Sequence, residues 1–135
     1  MKGHWLERET APIPIQGKTL VAWRDDWFTM VTKLTFPGQE RSEIVFQYRG
    51  HLDEDVRRYT FVLMHSALGR VEGEGWIGPE SIIQRYWVLG DRHQRRSGFE
   101  TIYRLNPDTY HLSNAVMAGH YLTTAMEATL HRQHT

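Results

Sequence analysis

Hydrophobic and polar residues alternate in short runs along most of this chain, and turn residues separate the runs at intervals of about 8–12 residues. A period of two is typical of half-buried β-strands, so the pattern favours an all-β sandwich or barrel. The segment Thr10–Gln16 holds two prolines and is expected to be neither a central strand nor a helix. The runs predict strands at His4–Glu9, Lys18–Arg24, Trp27–Phe36, Arg41–Arg49, Val56–Ser66, Gly69–Gly78, Ser81–Leu89, Ser97–Leu105 and Thr109–Met117.

The tail Ala118–Arg132 fits two patterns. Leu122, Met126 and Leu130 recur every four residues, as they would on a helix. The same stretch also alternates at every second residue, as a strand would, and its two threonines and the β-rich context favour a strand. The prediction is therefore an all-β fold, a single antiparallel up-and-down barrel of nine or ten strands.

We expect one domain, residues 1–135. Barrels somewhat wider than eight strands leave an interior that side chains alone do not fill, so this barrel is expected to act as a container. The pattern leaves open which faces of two strands point inward. Both faces of Val56–Ser66 are partly apolar. In Ser81–Leu89, one face carries Ile83, Arg85 and Trp87, and the residues between them, which are also a mixture of apolar and polar side chains, form the other face.

Composition narrows the choice of partners. The chain has 16 basic and 16 acidic residues, and this balance argues against nucleic acid or an anionic membrane as the main partner. The lack of cysteine excludes disulfides and thiolate chemistry and fits a cytoplasmic protein. No signal peptide and no membrane-spanning stretch is predicted. The eight histidines have no metal-ligand spacing, so no metal site is predicted.

A short motif gives a resemblance to a known group of barrels. Gly3, His4 and Trp5 form a G-x-W on the first predicted strand, and Arg132 ends the last one. This pairing resembles the structural signature of the calycins, which include lipocalins, fatty-acid-binding proteins, avidins and nitrobindin-like haem barrels. The resemblance implies that Trp5 plugs the closed end of the barrel and that Arg132 packs over its ring as a cation–π pair.

The middle of the chain, from Tyr48 to Gly50, through 59–62 and on to 73–76, is also similar to uncharacterised lipocalin-like proteins of a domain family of unknown function. The residues just before Arg132 continue that likeness. Two features depart from particular calycins. Thr10–Gln16 is too short and too proline-rich for the helical lid of fatty-acid-binding proteins. The haem-ligating histidine that nitrobindins carry near the C-terminus does not align securely with a position of this chain.

The leading hypothesis is a barrel that binds a small apolar or amphipathic ligand, with haem as one version. Arg85, if it faced inward, would need a ligand carboxylate or Glu100 as its partner, and it would otherwise face solvent. His120 is the candidate haem ligand, and His65 is a candidate ligand or general base; the alternative for both is a structural histidine at the core or rim. The candidate ligand-binding residues are His65, Arg85, Trp87, Tyr103, His120, Phe46 and Tyr48.

Two other function classes stay open. The same cavity would suit a small isomerase or cyclase in which His65 or His120 transfers a proton. Alternatively, the interior is filled by side chains, and the barrel is a structural or interaction module that dimerises through a sheet face.

Overall fold

A computed structural model describes residues 1–7 and 10–133, and these form a closed barrel of ten antiparallel strands. Each strand pairs with its neighbours in the chain, and β1 pairs with β10 to close the barrel. The prediction of an all-β up-and-down barrel is confirmed. The described part of the chain contains no apolar helix that could traverse a lipid bilayer. The strands are β1 Lys2–Glu7, β2 Ile13–Arg24, β3 Trp27–Thr35, β4 Ile44–Asp53, β5 Arg58–His65, β6 Gly69–Ile77, β7 Ser81–Val88, β8 Arg96–Asn106, β9 Thr109–Ala118 and β10 Tyr121–His131.

Strand boundaries differ most from the predicted ones in the first hairpin and in β4, which runs from Ile44 to Asp53 where Arg41–Arg49 was predicted. Residues 8 and 9 of the predicted first strand lie outside the described residues. Strand β2 begins at Ile13, inside the proline-containing segment that was expected to lack a strand. Pro14 is tolerated there because residues 13–15 pair with β1 alone, so β2 has a free edge over this stretch. The ambiguous tail forms strand β10, as the favoured interpretation predicted.

The inner faces of β5 and β7 are decided by the three-dimensional structure. On β5, alternate residues from Tyr59 to His65 are buried. On β7, Gln84 and Tyr86 are buried, whereas Arg85 and Trp87 are exposed on the outer surface. The inner face of β7 is thus the one that carries the amide side chain.

Large aromatic rings lie over glycines of the neighbouring strand throughout half of the barrel. In each case the two residues are direct cross-strand partners, and a Cβ on the glycine would meet a ring atom at 2.0–2.3 Å. Glycine is therefore required where a ring must lie flat against the barrel wall. The pairs are Phe28 with Gly50, Phe61 with Gly73, Tyr59 with Gly75, and Tyr86 with Gly98.

The two ends of the barrel differ. We call the end that carries the β2–β3 and β8–β9 turns the open end, because inward-facing side chains there remain partly exposed. Val21 and Trp23 face inward but are 52% and 54% exposed, and Met30 and Leu130 are half-buried. At the opposite, closed end, Trp5 is buried.

Trp5 is buried at the closed end, and Arg41, not Arg132, is linked to it through Phe36 and Glu7. The Trp5 ring meets Phe36 edge-on, with ring centroids 5.7 Å apart, and the Arg41 guanidinium lies 4.4 Å from the centre of the Phe36 ring. Glu7 joins the group, since its Oε1 accepts hydrogen bonds from the Trp5 indole at 2.9 Å and from Arg41 Nη2 at 2.5 Å. The arginine that the calycin resemblance implied at this place is therefore supplied by the β3–β4 loop.

Arg132 is in the wrong place for the expected contact. Trp5 pairs with Met126 on β10, and Arg132 lies six residues further along, at the open end. At about 3.3 Å per residue, roughly 20 Å of strand separates the two positions. The Arg132 backbone N–H instead donates to the carbonyl of Asp108 at 2.8 Å.

Substitution of Gly98 by alanine should lower the free energy of unfolding by about 2–3 kcal/mol, because the new methyl group would overlap the Tyr86 ring. Ser97→Ala, on the adjacent exposed position of β8, is the control and should change stability by less than about 0.5 kcal/mol. Urea denaturation of both variants checks this. Equal stabilities would contradict the ring-over-glycine arrangement.

Arg41→Gln should destabilise the barrel by about 1 kcal/mol, since it removes an ion pair with Glu7 and a cation–π contact with Phe36. Arg132→Gln should not change the stability of the barrel by more than the experimental error. Thermal denaturation followed by tryptophan fluorescence compares the two. A larger loss in the Arg132 variant would restore the expected calycin pairing.

Candidate functional site

Five buried or half-buried polar side chains form a cluster inside the barrel, which we call the Glu100 cluster. Glu100 on β8 is a direct cross-strand partner of Gln84 on β7 and of Asn114 on β9, so strand register alone places these three side by side. Tyr59 and Tyr86 complete the cluster from β5 and β7. Glu100, Gln84 and Tyr86 are each no more than 5% exposed.

Hydrogen bonds connect the cluster in a continuous path. The Tyr59 hydroxyl donates to Gln84 Oε1 at 2.7 Å, and Gln84 Nε2 donates to Glu100 Oε2 at 2.5 Å. On the other side, Asn114 Nδ2 donates to Glu100 Oε1 at 3.3 Å and to the Tyr86 hydroxyl at 3.2 Å. Both carboxyl oxygens of Glu100 therefore accept hydrogen bonds, and both donors are neutral amides.

The Glu100 carboxyl is buried without a cationic partner among the residues that bond it. Burial raises the pKa of Glu100 to about 7, and the Asn114 amide offsets only part of this rise. Burial also raises the pKa values of Tyr48, Tyr59 and Tyr86, and in each case the neighbouring Glu100 charge adds to the effect. A carboxyl that titrates near neutrality inside a cavity is a group that functional sites commonly use.

Glu100 lines a cavity of about 50 Å³ that lies toward the open end. Its polar wall contains Glu100, Tyr48 and the hydroxyls of Thr19 and Thr32, which are hydrogen-bonded to each other at 2.8 Å. Its apolar wall includes Met1, Met30, Met126, Leu112 and Leu130. Larger depressions lie on the outer surface, including one of about 480 Å³ beside the β2–β3 turn, but they are lined mainly by exposed residues.

The structure brings two of the predicted ligand-binding residues to this cavity. Phe46 and Tyr48 are buried neighbours on β4, and both line it. Arg85, Trp87 and Tyr103 lie on the outer surface, so these three candidate ligand-binding residues do not line the cavity. Arg85 takes the solvent-facing alternative, where its Nε donates to Glu74 Oε1 at 3.0 Å.

The two candidate histidines lie apart from the cavity. His65 is buried at the closed end, where its Nδ1 accepts backbone hydrogen bonds from Ala67 at 3.0 Å and Leu68 at 3.1 Å. Burial, followed by the charge of Arg96, lowers the pKa of His65 to about 4, so the ring is neutral and caps the β5–β6 turn. His120 is exposed in the β9–β10 turn.

These positions do not fit a haem inside the barrel. Pockets for ligands of drug size usually measure 300–1,000 Å³, about ten times the volume found here. His65 already uses its Nδ1 in the turn, and His120 does not reach the interior. Within residues 1–7 and 10–133, no group of three or more His, Asp or Glu side chains could hold a metal ion.

The hydrophobic pattern of the chain did not reveal the central position of Glu100, nor that of Gln84 and Asn114. Glu100 entered only as a partner for an inward-facing Arg85. The signal that could have found it is the alternation of Gly98, Glu100 and Ile102, since this is the face of β8 that turns inward. The opposite face of β8, with Phe99 and Tyr103, is more aromatic and yet lies outside.

Stability should depend on pH through Glu100. Its folded pKa of about 7 lies above the unfolded value of 4.5, so its contribution is complete below pH 4.5 and is lost as pH rises through 7. The unfolding free energy of the wild type minus that of Glu100→Gln should therefore fall by about 3 kcal/mol between pH 4.5 and 8. The opposite effect of His65 is common to both proteins and cancels in this difference.

Urea denaturation across that pH range measures the difference. Glu127→Gln, on the exposed face of β10, is the control and should follow the wild type at every pH. A difference for Glu100→Gln that does not change with pH would show that the carboxyl is ionised throughout.

Comparison with known protein families, curated proteins and solved structures finds no match to this chain. The calycin resemblance therefore rests on the closed ten-strand antiparallel barrel, with which it is compatible, and on the short motif around Trp5.

Proposed function

We propose that this protein is a calycin-like binding protein that takes up a small amphipathic molecule through the open end of its barrel. The observation that carries the proposal is the cavity beside Glu100, which has polar and apolar wall residues and a partly exposed rim. Met1, Met30 and Leu130 on that rim are half-buried, so a ligand entering from solvent would cover apolar surface that is now partly exposed.

The cavity volume limits what can bind. A space of about 50 Å³ accommodates about four water molecules, at roughly 10–15 Å³ for each. The polar head of a ligand fits such a space, while its apolar part would extend along the rim toward Val21. A long fatty acid lying wholly inside the barrel, held by Arg85, has no support from this arrangement.

The other function classes have less support. An isomerase or cyclase would need a pocket histidine that transfers protons, and no histidine of the described residues lines the cavity. The filled-core module is the appropriate alternative, because the interior is largely occupied by side chains. The experiment below distinguishes it from the binding protein.

The chain offers a built-in probe for ligand entry. Of its five methionines, Met1, Met30 and Met126 line the cavity, whereas Met64 and Met117 are on the outer surface, 50% and 37% exposed. The methionine methyl groups are labelled with ¹³C, and six-carbon probes with amine, alcohol or carboxylate heads are added. We expect at least one of these probes to shift the methyl resonances of Met1, Met30 and Met126. The two outer methionines should not move.

A blocking variant tests the location. Leu130→Trp places a large ring on the half-buried rim and should abolish the shifts, whereas Thr129→Trp, on the outer face of the same strand, should leave them unchanged. If no probe perturbs the three cavity methionines of the wild type, the binding proposal fails and the filled-core module replaces it.

A further inference from the structure

We infer that the preferred ligand carries a primary ammonium head group and that the Glu100 carboxylate is its counter-ion. This inference rests on the proposed function, and it names the chemical class of ligand for the same cavity. It also reverses the expectation of an arginine that holds a ligand carboxylate.

The charge balance of the cavity is the first argument. A buried carboxylate is costly unless a cation accompanies it, and Glu100 has only the amides of Gln84 and Asn114 as bonded partners. Among residues 1–7 and 10–133, no Lys, Arg or His side chain lines the cavity. The α-ammonium of Met1, whose side chain is on the rim, is bonded to the carbonyl of Gly17 at 3.0 Å. A ligand ammonium would supply the missing charge through charge-assisted hydrogen bonds.

The aromatic wall is the second argument. Phe46 and Tyr48 line the cavity with their rings nearly parallel, at 15°, and their centroids 6.4 Å apart. Aromatic faces attract cations electrostatically, and this attraction increases where water is excluded. A carboxylate next to aromatic rings is a combination that recognises organic cations.

Size and hydrogen bonding favour a primary ammonium over a methylated one. A primary ammonium has three N–H donors, and acceptor oxygens are present on Glu100, Tyr48 and the Thr19–Thr32 pair. A trimethylammonium group has no N–H donor and is too bulky for a space of about 50 Å³ together with its first carbons. A ligand carboxylate would place a second negative group beside Glu100, which is unfavourable.

The experiment compares head groups on a constant six-carbon chain at pH 8, in phosphate buffer without amines. Affinities of hexylamine, 1-hexanol, hexanoate and hexyltrimethylammonium are measured by titration of the Met1, Met30 and Met126 methyl resonances. We expect hexylamine to bind at least tenfold more tightly than 1-hexanol, and the other two to bind more weakly than the alcohol.

Two variants assign the preference to Glu100. Glu100→Gln keeps the shape of the side chain, removes its charge and replaces one accepting oxygen with an NH2 group. It should reduce the affinity for hexylamine at least tenfold, to that of 1-hexanol. Glu127→Gln removes an exposed carboxylate on the outer face of β10 and should retain the full preference. Methyl spectra of the free variants confirm that each is folded.

The possible failures are distinguishable. Equal affinity for amine and alcohol in the wild type, a preference for hexanoate, or an amine preference that persists in Glu100→Gln would each overturn the ammonium inference while the binding proposal stands. The comparisons of hexylamine with 1-hexanol and with hexanoate use the wild type alone, so they remain valid even if Glu100→Gln fails to fold. If none of the four probes shifts the cavity methionines, both the inference and the proposed function are rejected.

Discussion

Pairing of the first strand with the last is the constraint on which the rest of this structure depends. Six residue pairs between β1 and β10, from Lys2 with Thr129 to Glu7 with Thr124, close the sheet and remove its edges. Closure also confines every inward-facing side chain to one interior. Large rings fit there only because they lie over glycines of the next strand, and the space that they do not fill is the small cavity beside Glu100.

Burying the polar Glu100 cluster in that closed interior costs folding free energy. Replacing a buried polar network with well-packed apolar side chains is often neutral or stabilising, so its presence asks for another reason. Neutral amides satisfy the hydrogen bonds of the Glu100 carboxyl but leave its charge uncompensated. The proposed site for a small cationic head group would supply the charge that these amides do not, next to the cavity that the carboxyl lines.

The two ends of the barrel differ in how they are covered. Trp5, Phe36 and Arg41 cover the closed end, and His65 caps a turn there as a neutral ring. The open end keeps methionine and leucine side chains half-exposed above the cavity. The arginine near the plugged end comes from the β3–β4 loop and not from the last strand.

The sequence by itself determined the strands and the barrel, because alternation with a period of two and regular turn residues constrain local structure strongly. It also identified Phe46 and Tyr48 as residues of the interior. Only the tertiary structure decided that Glu100 faces inward and Arg85 outward. When both faces of a strand carry apolar residues, the alternation alone does not determine which face points into the barrel. That choice depends on cross-strand register, which is set by partners far away in the chain. The same holds for Arg132, whose distance from Trp5 follows from the pairing of β1 with β10.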